Sequence, residues 1–155
     1  KVEVTPDGKA DEIEMALANT RARLRMTTLY YYAGLKGFLV VGTGNKVEDF
    51  GVGFYTKYGD GGVDISPIAD CTKTEVWDIA KDLEILQDII DAPPTDGLWE
   101  DGRTDKDQLG GLTYEQLEEA MTNPESKHYE DYMKLRKPNL HKMEPIPVCS
   151  MEKYR

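Results

Sequence analysis

Phe38-Leu39-Val40-Val41-Gly42-Thr43-Gly44-Asn45-Lys46-Val47-Glu48-Asp49-Phe50 is the stretch that decides the fold. Residues 38–41 form an apolar run of strand type that stops at two glycines, where the backbone can turn sharply and approach a ligand. Asn45 is placed to cap a short helix, and Glu48 and Asp49 fall in its first turn, where the helix dipole favours acids. Phe54-Tyr55-Thr56-Lys57-Tyr58-Gly59-Asp60-Gly61-Gly62-Val63-Asp64 follows, mixing charge with three glycines. Such a segment beyond the carboxyl end of a buried strand is where open α/β sheets hold ligands. The expectation is an α/β domain with its site on this seam.

The totals narrow the function classes. A chain of 155 residues fits one domain able to bury a core. With 39% hydrophobic and 31% charged residues, it is not of disordered composition. No apolar run approaches the roughly 18 residues of a membrane span. A net charge of -10 argues against sequence-blind nucleic-acid binding, although a few local cations can still make a cleft for an anion. Two cysteines, Cys71 and Cys149, suit a reducing compartment without a disulfide, and a cytoplasmic setting is expected. Residue 1 is Lys, and no signal peptide is evident. The sequence therefore reads as a start inside a longer parent chain or a trimmed one.

Working outward, residues 1–10 read as an exposed loop around Pro6-Asp7-Gly8. Residues 11–35 read as a helix with Ile13, Leu17, Leu24, Thr28, Tyr31 and Leu35 on its inward stripe and Asn19 and Arg23 on another. Tyr30, Tyr31 and Tyr32 read as core and interface packing, and Gly34 or Gly37 as the stop. Residues 55–67 should be irregular. Thr72-Lys73-Thr74-Glu75 is a capping box opening a helix that buries Val76, Ile79, Ala80 and Leu83, with Trp77 beside them. Residues 91–111 form a long polar loop, of the kind that is functional or disordered. Thr113 opens another helix, and Asn123-Pro124 a further one that stops before Pro138. Residues 140–148 should be extended. One strand among several helices cannot satisfy its own backbone. The missing strands belong to an absent N-terminal half, to another chain, or to misassigned segments, and the first is preferred.

The residues alone give a limited chemistry. Gly42-Thr43-Gly44-Asn45-Lys46-Val47 lacks the last glycine of the dinucleotide fingerprint. It is either a tight turn offering N–H groups and the Thr43 hydroxyl to a nucleotide, or a plain strand-to-helix turn. Asp96, Glu100, Asp101, Asp105 and Asp107 do not follow the EF-hand spacing and read as a solvated acidic loop. His128, His141 and the cysteines lack zinc spacing, and no nucleophile elbow occurs. Arg23, Lys57, Lys73 and Lys142 could gather around phosphates, with Glu48 holding Mg²⁺ against them. This amounts to a nucleotide site in an α/β fragment.

Residues 39–49 as quoted, then Tyr55 through Asp70 with its Thr56-Lys57-Tyr58-Gly59-Asp60-Gly61-Gly62 block, then Lys73-Thr74-Glu75-Val76, strongly resemble NAD synthetase. Asn19-Thr20-Arg21-Ala22-Arg23-Leu24-Arg25-Met26, Pro94-Thr95, Gly97-Leu98-Trp99, Thr104-Asp105, Leu109-Gly110 and His141-Lys142 fall in the family's order. The likeness covers residues 11–148, the C-terminal part of the NAD synthetase domain, and leaves 149–155 as a tail.

The resemblance implies a Rossmann-like fold of the adenine-nucleotide α-hydrolase-like kind, here incomplete and helix-rich. It implies a homodimer in which ATP and Mg²⁺ adenylate deamido-NAD and ammonia, free or from a glutaminase domain, then displaces AMP. By resemblance Thr43, Lys73 and Thr95 bind ATP, and Glu48 binds Mg²⁺. Asn19, Arg23, Lys57, Asp64, His141 and Lys142 bind deamido-NAD. Asp60 would orient ammonia or accept its proton, and Lys73 would stabilise charge on the adenylate. The Glu48-to-Lys57 spacing and the Thr95-Asp96-Gly97-Leu98-Trp99 segment are variants of the family's pattern. Its Ser-Gly-Gly-x-Asp-Ser pyrophosphate loop is absent from this sequence. The expectation is a polypeptide that makes no NAD alone. The alternatives are a non-catalytic dimerisation or nucleotide-binding fragment and a relative that activates another substrate through ATP.

Overall fold

The computed structural model describes residues 10–99 and 101–152, so of the loop expected at residues 1–10 only Ala10 is described, and it is helical; residues 153–155 of the expected 149–155 tail lie outside the described residues. Helices α1 (Ala10–Lys36), α2 (Lys73–Asp82), α3 (Gln87–Ile90) and α4 (Asp105–Gln108) are followed by α5 (Tyr114–Thr122), α6 (Tyr129–Arg136) and α7 (Leu140–Met143). A π-helical turn, Lys46–Val52, lies between α1 and α2.

Helix α1 stops where expected, with Gly37 in the left-handed region at φ 66°. Its inward face is not the expected one. Leu24, Tyr31 and Leu35 are exposed, as is Tyr32, and the buried positions are Ala18, Ala22 and Ala33. Small side chains win here because the partner is a backbone loop at contact distance. A Cβ on Gly59 would stand 3.0 Å from the Cβ of Ala22, and one on Gly62 would stand 3.2 Å from Cγ of Met26.

The expected buried strand is a correction too. Val41 pairs in parallel with Ile65, through Gly42 N–H to Ile65 O at 2.7 Å and Asp64 N–H to Val40 O at 2.9 Å. Val40 is buried, but Phe38 is 70% exposed and Leu39 and Val41 are open as well. The run is covered from one side only, because no further strand neighbours it among the described residues. The chain is thus helix-rich with a minimal parallel pairing.

The π-helical turn begins as the sequence foretold: Asn45 Oδ1 accepts from the N–H groups of Val47 and Glu48 at 3.0 and 3.1 Å. Gly53 ends it at φ 67°. Turns of this type are rare and cluster at functional sites. Val47 and Val52 from it join Leu109, Leu112, Tyr114, Leu117, Ala120 and Tyr132 in the core. The Thr72 and Thr113 capping boxes are both formed. Helix α2 nevertheless buries no residue, and Ile79 and Leu83 are exposed. Trp77 carries its packing, edge-on to Tyr114 at 5.8 Å.

Three segments depart from the linear reading. The polar loop contains α4, opened by its own Thr104 capping box. Residues 123–128 turn before α6 begins, and a 3-10 turn, Lys137–Asn139, runs through Pro138, which is tolerated in a first turn. Residues 140–143 are helical rather than extended.

Candidate active site

Glu48 sits in the first turn of the π-helical turn, its N–H held by Asn45. Lys73, the first residue of α2, reaches it at 3.2 Å, with both side chains largely buried. Tyr114 donates its hydroxyl to Glu48 Oε1 at 2.6 Å, and the same hydroxyl lies 3.3 Å from Asp105 Oδ2. The Lys73 ammonium stands 4.9 Å above the Tyr114 ring. Burial, then the charge of Glu48, raises the phenol well above its ordinary value, so Tyr114 is a permanent donor here. Burial and Glu48 also raise Asp105. Helix α2 is oriented by Glu118, which takes the N–H and hydroxyl of Thr74 at 3.0 and 2.7 Å.

Beside this cluster opens a cavity of about 630 Å³. Asn19, Arg23, Lys57, Asp60, His141 and Lys142 line it together, from α1, the 53–62 segment and α7. The walls are tied by hydrogen bonds. Thr56 donates its hydroxyl to Asn19 Oδ1 at 2.6 Å, and Arg23 Nε donates to Lys57 O at 3.3 Å. Lys57 Nζ donates to His141 O at 2.7 Å, and Lys142 Nζ donates to Gly53 O and Tyr55 O at 2.9 and 2.6 Å. The Tyr55 hydroxyl returns a bond to Lys142 O at 2.6 Å. Burial lowers the pKa of Lys142, and Asp60 opposes that shift. Crowding around the Asp60 carboxyl raises its pKa, against the Thr56 N–H bond at 2.9 Å. The residue as a whole stays open to solvent, and water tempers the rise. Trp99 closes one side, its indole N–H on Gln108 at 2.8 Å and the Arg103 guanidinium stacked 4.0 Å from its ring.

A smaller space of about 120 Å³ shares Tyr55 and Asp60 with this cavity. It is bounded by Gly42, Gly44, Asp49, Tyr55, Asp60 and Ser66 among others. Burial, then Glu48 and Asp60, pushes Asp49 up to about 6.

Of the residues expected at the site, Asp60 and five of the six dinucleotide positions therefore meet around one cavity, and Glu48 and Lys73 form a pair. Asp64 does not line that cavity. Its carboxylate accepts from the Tyr30 hydroxyl at 3.0 Å and the Val40 N–H at 2.8 Å, fastening α1 to the strand. Thr43 is exposed at the end of the strand pairing. Thr95 is exposed on the 91–111 loop, its hydroxyl accepting from Gly97 N–H at 3.3 Å. The linear reading missed Tyr114, Tyr55 and Asp105 as site residues. Tyr114 follows a helix cap and looks like an ordinary first-turn residue, and Asp105 was grouped with solvated acids. The Thr104-to-Asp107 capping pattern was the signal that would have placed Asp105 at a helix start.

The chain spans about half the length of the curated relatives it matches. It is 45% identical over 140 residues to the NH(3)-dependent NAD(+) synthetase of Carboxydothermus hydrogenoformans, covering 89% of this chain and 56% of that protein. It is 48% identical over 115 residues to the Methanococcoides burtonii protein of the same description, covering 74% and 41%. Among solved structures, the NMN synthetase from Francisella tularensis superposes at a TM-score of 0.80 with 32% identity, covering 88% of this chain and 57% of that one. The NH3-dependent NAD synthetase from Campylobacter jejuni, in complex with the nitrate ion, gives a TM-score of 0.64 with 26% identity, covering 94% and 58%. The fold that places the paired Glu48 and Lys73 beside the cavity is therefore one these synthetases share. The NAD synthase family model matches residues 3–153, and the chain belongs to that family.

Proposed function

We propose that this chain provides the dinucleotide-binding and part of the ATP-binding machinery of an ammonia-dependent NAD synthetase. The observation that carries the reading is the meeting of Asn19, Arg23, Lys57, Asp60, His141 and Lys142 around one cavity. In the reaction, a carboxylate oxygen of deamido-NAD bonds to the α-phosphorus of ATP, and pyrophosphate leaves. Ammonia then bonds to the acyl carbon, a proton is shed, and the C–O bond to AMP breaks, giving NAD. Arg23, Lys57 and Lys142 bring three cations to a substrate with a pyrophosphate bridge. Lys142 has two of its three N–H donors on backbone oxygens, so its position is fixed while one donor remains for a ligand. Asp60 orients ammonia and takes the proton it sheds. Lys73 offers its ammonium to charge building on the α-phosphate.

The Glu48 region fits a magnesium ion, since Mg²⁺ needs one or two carboxylates and completes its shell with water and phosphate oxygens. Glu48 would hold it, and Asp105 beside it keeps a buried oxygen without a partner among the described residues. Such an ion would draw charge off the phosphate oxygens. Thr95 would offer its hydroxyl to the same phosphates.

The adenine-nucleotide α-hydrolase-like sheet and its Ser-Gly-Gly-x-Asp-Ser loop would belong to the part of the relatives that this chain does not match. The exposed Phe38, Leu39 and Val41 mark the edge such strands would cover. A homodimer would use the exposed Leu24, Tyr31 and Leu35 stripe of α1, which sedimentation would detect as a dimer. The setting is cytoplasmic on this reading. No described helix is long and apolar enough to cross a membrane.

Two measurements test the proposal. The 155 residues incubated with ATP, Mg²⁺, ammonia and deamido-NAD should give no NAD above background, and clear turnover would overturn the need for a missing loop. Calorimetry should show deamido-NAD binding that weakens in Lys142→Ala. Absence of binding to the chain would overturn the assignment of the cavity. The Francisella neighbour, named as an NMN synthetase, makes the corresponding mononucleotide the second ligand to titrate. Preference for it would move the reading to that substrate.

A further inference from the structure

Asp105 opens α4 beneath the Thr104 cap and is only 7% exposed. Its two oxygens are in different situations. Oδ2 faces the Tyr114 hydroxyl at 3.3 Å, but that hydroxyl has a single proton and gives it to Glu48 Oε1 at 2.6 Å. Oδ1 is buried and has no hydrogen-bond partner among the described residues. A buried acceptor left in this way is costly unless a ligand or water satisfies it. The backbone of the same residue is committed elsewhere: its N–H donates to Pro94 O at 3.0 Å, pinning the segment that carries Thr95. Asp105 thus stands between Glu48 and Thr95, two residues from distant parts of the chain.

Lys73 supplies one positive charge, 3.2 Å from Glu48. Two carboxylates sharing one phenol and one ammonium leave the cluster short of positive charge and of donors. A hydrated divalent cation supplies both. The described residues hold no group of three His, Cys, Asp or Glu that could ligate a metal. A two-carboxylate site therefore suits an ion that keeps most of its waters.

We propose that Asp105 is a positioning residue of the cation site centred on Glu48: its buried Oδ1 accepts a hydrogen bond from a water in the cation's shell, and Tyr114 fixes the spacing of the two carboxylates. The inference rests on Glu48 being the metal-binding residue. Outer partners of this kind govern the orientation and affinity of a bound ion without touching it.

Mn²⁺ alone is the probe, titrated into the 155-residue chain and followed by the loss of the free-ion signal in electron paramagnetic resonance. The expected result is saturable binding to the wild type. Glu48→Gln should weaken it, and Asp105→Asn should weaken it by about 10–100-fold. The spectrum of the remaining bound ion in Asp105→Asn should also be altered. A merely structural role for Asp105 would change neither affinity nor spectrum once the folded fraction is matched by circular dichroism. If Glu48→Gln loses binding while Asp105→Asn matches the wild type in both, the role of Asp105 is overturned and the placement at Glu48 stands. If the wild type does not bind, or Glu48→Gln binds equally well, both are overturned. Should Asp105→Asn fail to fold, Tyr114→Phe is read instead. It removes the hydroxyl at near-constant volume, and wild-type affinity and spectrum in it overturn the proposal.

Discussion

Thr56→Val tests whether the hydrogen bond between α1 and the 57–60 loop holds the cavity wall. Thr56 is 6% exposed; its hydroxyl donates to Asn19 Oδ1 at 2.6 Å, and its N–H donates to Asp60 Oδ1 at 2.9 Å. Valine keeps the shape and the backbone bond and removes only the hydroxyl. The lost bond contributes about 1 kcal/mol net, and the stranded Asn19 oxygen adds about 1–3 kcal/mol if water cannot reach it. Asn19 is half-buried, so water recovers part of that second contribution. The expected loss is about 1–2.5 kcal/mol, a fall of roughly 3–8 °C in Tm for a chain of this size.

Differential scanning calorimetry on Thr56→Val, Asn19→Leu and the double variant gives the answer. Removing both partners should cost less than the sum of the single changes, with a coupling of about 0.5–3 kcal/mol. Thr56→Ser, which keeps the donor, should lie closer to the wild type. A Thr56→Val chain within about 0.5 kcal/mol of wild type, or a strictly additive double variant, would refute the claim that this bond joins the two walls.

Asp49→Asn should stabilise the chain at neutral pH and not at acid pH. Its pKa is raised from 3.8 to about 6 by burial, then Glu48 and Asp60, so the folded state binds more protons than the unfolded one across that window. Wild-type stability therefore falls as pH rises through it. At 1.36 kcal/mol per unit the gain at pH 7 is at most about 3 kcal/mol, and less because the carboxyl is partly exposed. Urea midpoints near pH 4 and pH 7.5 measure it, and an equal gain at both would contradict the assignment. Gly59→Ala and Gly34→Ala should have opposite signs. A Cβ at 59 meets Thr56 Cβ and Cγ2 at 2.9 Å, costing about 1–3 kcal/mol, whereas one at 34 meets nothing within 4 Å and gains up to about 1 kcal/mol in the helix. Thermal melts decide, and equal effects would undermine the close packing of the 56–62 loop on α1.

What was legible in the sequence was what is local. Asn45, Thr72 and Thr113 cap helices within a turn of themselves, and Gly37 ends α1 by its own backbone freedom. The inward faces of α1 and α2 were not legible, because apolar spacing reports which face seeks cover but not which face finds it. In α1 the leucine and tyrosine stripe is uncovered while alanines meet the glycine loop. In α2 the contact passes to Trp77, since Tyr114 arrives from a helix some forty residues later. The site divides in the same way. The string from Val40 to Gly62 carries its own resemblance, but Asp105 becomes a partner of Glu48 only through Tyr114, a relation across three segments. Residues 140–143 became helical through docking: Asn139 binds Val52 O at 3.0 Å and Lys142 binds Gly53 O at 2.9 Å.

The two acids of the glycine-rich block, four residues apart, are held in different ways. Both stand among small residues and both were assigned to the site on resemblance. Asp64 spends its two oxygens on Tyr30 and on the Val40 N–H, which makes it the clasp between α1 and the strand. Asp60 spends one oxygen on the Thr56 N–H, and that bond closes the turn that aims it at the cavity. The turn can be this tight because a Cβ on Gly61 would lie 2.3 Å from the Tyr55 ring, so a side chain at 61 would push Tyr55 off the Lys142 carbonyl it holds. The glycines therefore position charge as well as backbone: they keep Asp60, Tyr55 and Lys142 within one hydrogen-bonded frame. A carboxylate and an ammonium held in that frame oppose each other's shifts: burial lowers the pKa of Lys142 and raises that of Asp60, and each charge works against the other's shift. Replacing Asp60 with Asn takes one negative charge from the wall that carries Arg23, Lys57 and Lys142, so anion binding there should hold or tighten; calorimetry with deamido-NAD measures it, and a clear loss of affinity would refute this account of the frame.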